Sequence, residues 1–326
     1  MYFSRLLLLS AAFSQAPFAL SATTFDFSNE YNATSIHAEG DKYFINQVSQ
    51  LTKGDVDITL HTGGSLGFKS TDNFYAVADD AVQIADTLAG SMAGIDPIFL
   101  LSSLPFVVEN ADQAEQLYQI AKPYYQKVFA QNGQILLYAS PWPASGIWSK
   151  TPVTSKQELT NLKIRTYDKN GTLTLREAGA APVKLSWADV VPQLSTGGIQ
   201  AVLTSADAGA SGKFWEHLDN YSAIQYAIPL NMVHMNKEEF DSLSTANQQS
   251  ILKAAELTDK HNWKTVRTRV ASNYQDLAEH KVVIHQNLPD SFISLLQEAA
   301  KPSLQEWLED TGQHGKNIMA EFEQNK

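Results

Sequence analysis

Apolar and polar positions along this chain alternate between a period of two and a period near 3.6, the signature of interleaved strands and helices. The pattern is plainest from Leu162 to Ser205. Leu162, Ile164 and Arg165 predict a short strand, and a polar turn at Asp168 to Gly171 leads into a helix that ends near Glu177. Pro182, Val183 and Leu185 predict another strand, and Ser186 is a suitable N-cap for a helix through Gln193. Ile199, Ala201 and Leu203 alternate with Gln200, Val202 and Thr204 in a last strand.

The flanking sequence repeats this alternation. Upstream, strands are expected at Thr24 to Ser28, Asp55 to Leu60, Val82 to Thr87, Ile135 to Tyr138 and Gly146 to Ser149. Helices are expected from Ser35, over Asn73 to Ala81, and from an Asn110 cap to Phe129. Downstream, a helix over Ala210 to Trp215 precedes strands at Ser222 to Tyr226 and Leu230 to His234. A long helix then begins near Thr245, where Thr245 and Gln248 have capping-box spacing. Its apolar stripe runs from Ile251 through Trp263 to Leu277. About 35 residues at 1.5 Å each give roughly 50 Å, long enough to serve two domains. Val282 to Ile284 is a strand, and two amphipathic helices close the chain.

The fold class expected is α/β, with two lobes, a hinge and the long helix spanning both. Lobe I is expected to comprise 23–145 with about 231–270, and lobe II 146–230 with about 271–326. A cleft between two such lobes is a favoured ligand site.

Composition narrows the function. The 326 residues suit two domains, and 44% apolar with 18% charged residues is ordinary for a soluble protein. A net charge of −11 argues against nucleic acid and anionic membranes as partners. An anionic ligand would have to be drawn by a local cation. With no cysteine, disulfides, thiol chemistry and a lipidated N-terminal cysteine are excluded. At the N-terminus Arg5, an apolar core around Leu6 to Leu9 and small residues Ala19, Ser21 and Ala22 form a secretory signal peptide, 1–22. The mature protein is therefore expected in an exported compartment, a bacterial periplasm.

Motifs for chemistry fail one by one. The eight histidines form no HExxH, so no metal is expected. The serine of Gly90 to Gly94 is one place too early for a nucleophile elbow. Gly209 to Lys213 fails P-loop spacing, and Thr62 to Gly67 lacks its Lys-Ser/Thr ending. No catalytic residue and no cofactor are expected.

Arg165 is the unusual residue, because it occupies a strand whose neighbours are apolar. A guanidinium is never discharged and offers five donors in a planar fork. Buried alone it is costly, so it requires either an internal carboxylate or a ligand carboxylate.

LKIR at Leu162 to Arg165, GAAPV at Gly179 to Val183 and LSTGGIQA at Leu194 to Ala201 resemble the solute-binding proteins of tripartite ATP-independent periplasmic (TRAP) transporters. The resemblance extends over the mature chain through Leu104-Pro105-Phe106 and Lys213-Phe214-Trp215-Glu216. It implies a monomeric two-lobed protein that closes over an organic acid and delivers it to the membrane subunits of a transporter driven by an ion gradient. It also implies that Arg165 grips the ligand carboxylate. The family often has Glu-Asn where this chain has Leu203-Thr204, so Thr204 stands in for an asparagine that touches the ligand. First-lobe loops place Tyr31, Asn32, Ser35, Asp86, Thr87, Trp142 and Ser145 as further candidates, and Trp187 is a candidate wall of the cleft. The alternatives are a binding protein of an ATP-driven importer, a sensory ligand-binding protein and, with least support, a secreted hydrolase.

Overall fold

The computed structural model describes residues 22–326, so the expected signal peptide lies outside the described residues save for Ala22. The strands in chain order are β1 (Thr23–Asn29), β2 (Val56–His61), β3 (Ile84–Leu88), β4 (Gln134–Pro141), β5 (Ser145–Ser149), β6 (Lys163–Thr166), β7 (Ala181–Lys184), β8 (Ala201–Ser205), β9 (Asn220–Ser222), β10 (Leu230–Asn236) and β11 (Val283–His285). They form two mixed sheets, one ordered β2-β1-β3-β10-β4 and the other β11-β9-β5-β8-β6-β7.

In the first sheet β1 runs parallel to β2 and β3, while β10 inserts antiparallel between β3 and β4. All seven residues of β10 are buried, as expected for a strand paired on both edges and covered on both faces. Phe25, Phe27, Phe44, Val48 and Ile251 pack on one side of this sheet. In the second sheet β8, β6 and β7 are parallel, and β5 is antiparallel to β8. Trp148 on β5 is fully buried and donates its Nε1–H to Ser205 O at 3.1 Å. The neighbouring helix, Ala206–Ser211, approaches it closely because residue 209 is glycine. A Cβ there would lie 2.1 Å from the Trp148 ring.

Two crossings join the sheets side by side. Trp142 N donates to Pro229 O and Ser145 N to Ala227 O, each at 2.9 Å, so the β4–β5 and β9–β10 links are hydrogen-bonded to each other. The long helix, Thr245–Glu279, has 35 residues. Near its middle Asn262 Nδ2 bonds Ser140 Oγ on β4 at 3.3 Å, and further on Asn273 Nδ2 bonds Asp207 Oδ1 at 3.2 Å beside the second sheet. It therefore braces both lobes.

Several boundaries differ from the expectation. The long helix is capped by Ser244, whose Oγ accepts from Asn247 N at 3.2 Å, not by a box between Thr245 and Gln248. Ser222 to Tyr226 is a strand only as far as Ser222, because Gln225 takes φ 51° in the crossing that follows. The helix expected over Ala210 to Trp215 begins earlier, at Ala206, and a short 3₁₀ turn covers Phe214–Glu216. The helix expected over Asn73 to Ala81 is Ser70–Ala78. Among the described residues no helix is long and apolar enough to cross a membrane.

Candidate ligand-binding site

The carboxyl ends of parallel strands leave their backbone groups and following loops on one side of a sheet, where ligands characteristically bind. Here the ends of β1 and β3 in the first sheet face the ends of β6 and β8 in the second. Between them lies a cavity lined by Tyr31, Leu88 and Trp142 on one side and by Arg165, Tyr167 and Thr204 on the other. Ser145, Trp187 and Ser205 complete much of the remaining wall. About 310 Å³ of space separates the walls, but a water-sized sphere can be centred in only about 20 Å³ of it. The lobes are thus closed on each other.

Arg165 is 3% exposed. Its Nε–H donates to Leu185 O at 2.9 Å, which fixes the plane of the fork. The ring centres of Tyr167 and Trp187 each stand 5.9 Å from the guanidinium carbon. Among the described residues no carboxylate oxygen lies within 4.0 Å of it, so the internal salt bridge open to it from the sequence is not made. Burial lowers its pKa from the ordinary arginine value, opposed by the nearby Tyr31 and Glu30. An arginine remains charged under such a shift.

The aromatic wall is continuous across the cleft. Tyr31 meets Trp142 edge-on at 4.9 Å and Trp187 at 5.8 Å, and Trp187 stacks on Phe214 at 5.6 Å. Such rings exclude water and so strengthen any ion pair made at Arg165.

Of the ten candidate residues, the fold brings Arg165, Thr204, Tyr31, Trp142, Ser145 and Trp187 together in the cavity lining. The other four do not line it. Asn32 reaches across the lobe boundary and donates to Ser211 O at 2.6 Å. Ser35 caps the helix Ile36–Thr52, accepting from Ala38 N at 3.2 Å. Thr87 Oγ1 pairs with His234 Nε2 at 2.8 Å within the first sheet. Asp86 is buried behind the wall, where it accepts from Asn231 Nδ2 at 2.7 Å and Asn29 Nδ2 at 3.3 Å. Asn231 in turn accepts the Trp142 indole N–H at 2.8 Å, so Asp86 acts on the cavity by holding Trp142. Its neighbour Asp41 has its pKa raised well above the usual range by burial and by Asp86.

Tyr167 was missed, although strand alternation puts it on the face of Arg165, two residues earlier. Leu88, Ser205 and Ala208 carried no sequence signal. The adjoining carboxyl of Asp168 caps the helix Lys169–Glu177 through Oδ1, which accepts from Gly171 N at 3.0 Å. Its Oδ2 is buried without a partner and faces Gly90 of the other lobe. Burial raises its pKa to about 6.

Ion pairs close the lips of the cleft. Lys69 Nζ reaches Asp189 Oδ2 at 2.9 Å. Arg269 of the long helix holds Asp207 at 2.6 Å and Glu39 at 2.9 Å, while Asp207 also accepts from Ile36 N at 3.1 Å. Among the described residues no cluster of three or more histidine or acidic side chains is arranged to hold a metal ion.

Comparison with known proteins agrees with this geometry. The family model described as bacterial extracellular solute-binding protein, family 7, matches residues 27–310. DctP6, an extracytoplasmic solute receptor of Bordetella pertussis binding pyroglutamic acid, superposes with TM-score 0.89 at 29% identity, over 93% of this chain and 100% of that one. A marine metagenome TRAP solute-binding protein specific for pyroglutamate superposes with TM-score 0.88 at 26% identity, over 93% and 99% of the two chains. The ectoine-binding periplasmic protein TeaA of Halomonas elongata is 23% identical over 93% of this chain and 92% of its own.

Proposed function

Since the chain belongs to the bacterial extracellular solute-binding proteins of family 7, the binding proteins of TRAP transporters, we propose that it captures a small organic acid in the periplasm and passes it, as a monomer, to the transporter's membrane subunits. Arg165 is the carboxylate anchor. One observation carries this reading: a fixed cation, 3% exposed, lies in the interlobe cavity without a counter-ion among the described residues. A bidentate carboxylate satisfies the fork and removes the cost of burying it.

The mechanism is differential binding. Arg165, Tyr167 and Thr204 belong to one lobe and Tyr31 to the other, so a ligand touches both only when they close. A ligand shifts that equilibrium by its preference for the closed form and by nothing else. Polar hydroxyls of Ser145, Tyr167 and Thr204 orient the guest, and the rings of Tyr31, Trp142 and Trp187 cover it. These groups bind and do not react: no nucleophile with an aligned base lies in the cavity lining, so turnover is not expected.

Two of the structural neighbours at 25% identity or above, from Bordetella pertussis and the marine metagenome, are described with pyroglutamate, and it is the ligand we assign to this site. A thermal-shift screen of mono- and dicarboxylates, keto acids, sugar acids and lactam acids, followed by calorimetry, tests the reading. Pyroglutamate is expected to raise the melting temperature most. No response to any carboxylate would refute it.

A further inference from the structure

Asp207 lies in the first turn of the helix Ala206–Ser211, which directly follows β8 of the second sheet. It is fully buried and is not part of the cavity lining. Its Oδ2 accepts from Ile36 N at 3.1 Å. Ile36 opens the helix Ile36–Thr52, whose Phe44 and Val48 pack on the first sheet. The other oxygen, Oδ1, accepts from Arg269 Nε at 2.6 Å and from Asn273 Nδ2 at 3.2 Å, both on the long helix. Arg269 reaches on to lobe I, to Thr34 O at 3.0 Å and Glu39 Oε2 at 2.9 Å. At the far end of Ala206–Ser211, Ser211 O accepts from Asn32 Nδ2 at 2.6 Å.

Both oxygens of Asp207 are thus paired, and the donor on Oδ2 belongs to the opposite lobe. A buried carboxylate is tolerated only while its donors are in place. The first N–H groups of a helix have no partner inside it, and its aligned peptide dipoles favour a negative charge there. Ser35 Oγ satisfies Ala38 N, and Asp207 satisfies Ile36 N. A carboxylate of one lobe therefore caps a helix of the other. Moving the second sheet away from the first breaks this bond, the Asn32–Ser211 bond and the span of Arg269 from Asp207 to Glu39. None of these contacts involves a ligand, so each stabilises the closed form whatever occupies the cavity.

Resting on the reading that the two lobes close over a ligand, we infer that Asp207 is a positioning residue that latches the closed form, and so sets the rate of ligand release without touching the ligand. Arg165 decides what is held, and Asp207 decides how long. Loss of the latch shifts the equilibrium toward the open form and lowers the apparent affinity for every ligand by the same factor. The change falls on dissociation, because the open form that receives the ligand is unaltered.

Stopped-flow tryptophan fluorescence with L-pyroglutamate reads both rates, since Trp142 and Trp187 stand in the cavity wall. Asp207→Asn, checked for folding by circular dichroism, is expected to release the ligand roughly 10-fold faster, the lower end for a hydrogen bond to a charged group. Its association rate and its preference for the acid over the carboxamide are expected to match the wild type, which a merely weakened fold would not combine with faster release. Ile36→Pro removes the N–H that Oδ2 accepts. Proline is favoured at this first helical position, and the extended Ser35, at ψ 153°, suits a following proline. It is expected to speed release in the same way. Wild-type release from either folded variant overturns the latch and leaves Arg165 as anchor. If the wild type does not bind L-pyroglutamate, the ligand assignment falls and the latch is judged without ligand. The chain has no cysteine, so Tyr75→Cys on lobe I and Val183→Cys on lobe II, both exposed, accept spin labels free of background. The interlobe distances are then expected to shift toward the open form in Asp207→Asn, and distributions equal to the wild type overturn the latch.

Discussion

Two arginines, one in the cavity lining and one on the long helix, differ in what their surroundings supply. Arg269, on the long helix, meets Asp207 at 2.6 Å and Glu39 at 2.9 Å, and donates to Thr34 O at 3.0 Å. Its fork is full. Arg165 is the more deeply buried of the two, yet among the described residues only its Nε has a partner, the backbone oxygen of Leu185. A buried charge must be compensated. Where the chain supplies the counter-ion, the arginine belongs to the architecture. Where the chain withholds it, as at Arg165, we propose that a ligand carboxylate supplies the counter-ion.

The largest effect should fall on ligand affinity. Arg165→Ala leaves a ligand carboxylate desolvated and unpaired, which should weaken binding by about 3–5 kcal/mol. Stability of the ligand-free protein should not fall, since a costly buried cation is removed. Calorimetry and chemical denaturation on the same variant separate the two. Arg165→Lys should also bind poorly, because a single ammonium cannot reproduce the fork.

Asp168 sharpens the contrast from the acid side. If it were a hidden partner of Arg165, its pKa would be depressed; burial instead raises it to about 6. A carboxyl whose folded pKa exceeds its unfolded value adds stability below about pH 4 that is lost as pH rises through about 6. The wild type should lose on the order of 2–3 kcal/mol over that window from this residue. Asp168→Asn retains an oxygen for the helix cap, so its stability should decline less between pH 4 and pH 7. Urea denaturation at the two pH values checks this, and an equal decline in both proteins would place the raised pKa elsewhere.

Arg269→Ala should reverse the pattern of Arg165→Ala. Asp207, buried, would keep Ile36 N and Asn273 Nδ2 as donors but lose its cation. Stability should drop by about 1–3 kcal/mol, while the preference for an acid over its neutral amide persists. Lys69→Ala should do least. The Lys69–Asp189 pair is over a third exposed on each side, so less than about 0.5 kcal/mol of stability is expected from it.

What the sequence disclosed follows the same division. Arg165 stood out because a charge interrupts an apolar strand, a local signal. Thr204 was reached through the family resemblance, and Trp142 and Ser145 through their place in first-lobe loops. Asp86 and Thr87 occupy a strand end, but they were misplaced in the cleft, because their partners lie on β10. Asn231 and His234 are distant in the chain, and no periodicity announces that β10 inserts beside β3. Asn32 and Ser35 satisfy backbone groups, a use that polar residues near helix starts share with ligand binding. The two-sheet α/β fold was legible in the alternation of strands and helices, and so was the start of the long helix at Thr245; only its cap differs, Ser244 in place of the Thr245–Gln248 box, because both Ser244 and Thr245 are competent caps.

The carboxylate itself can be removed without touching the protein. Calorimetry of the wild type with L-pyroglutamate and with its carboxamide keeps the ring and its N–H and replaces the carboxylate that Arg165 would meet by an uncharged amide with one acceptor oxygen. The acid is expected to bind at least about a hundredfold more tightly, in line with the loss of a buried charge pair. Equal affinity for acid and amide would show that the guanidinium does not hold the ligand.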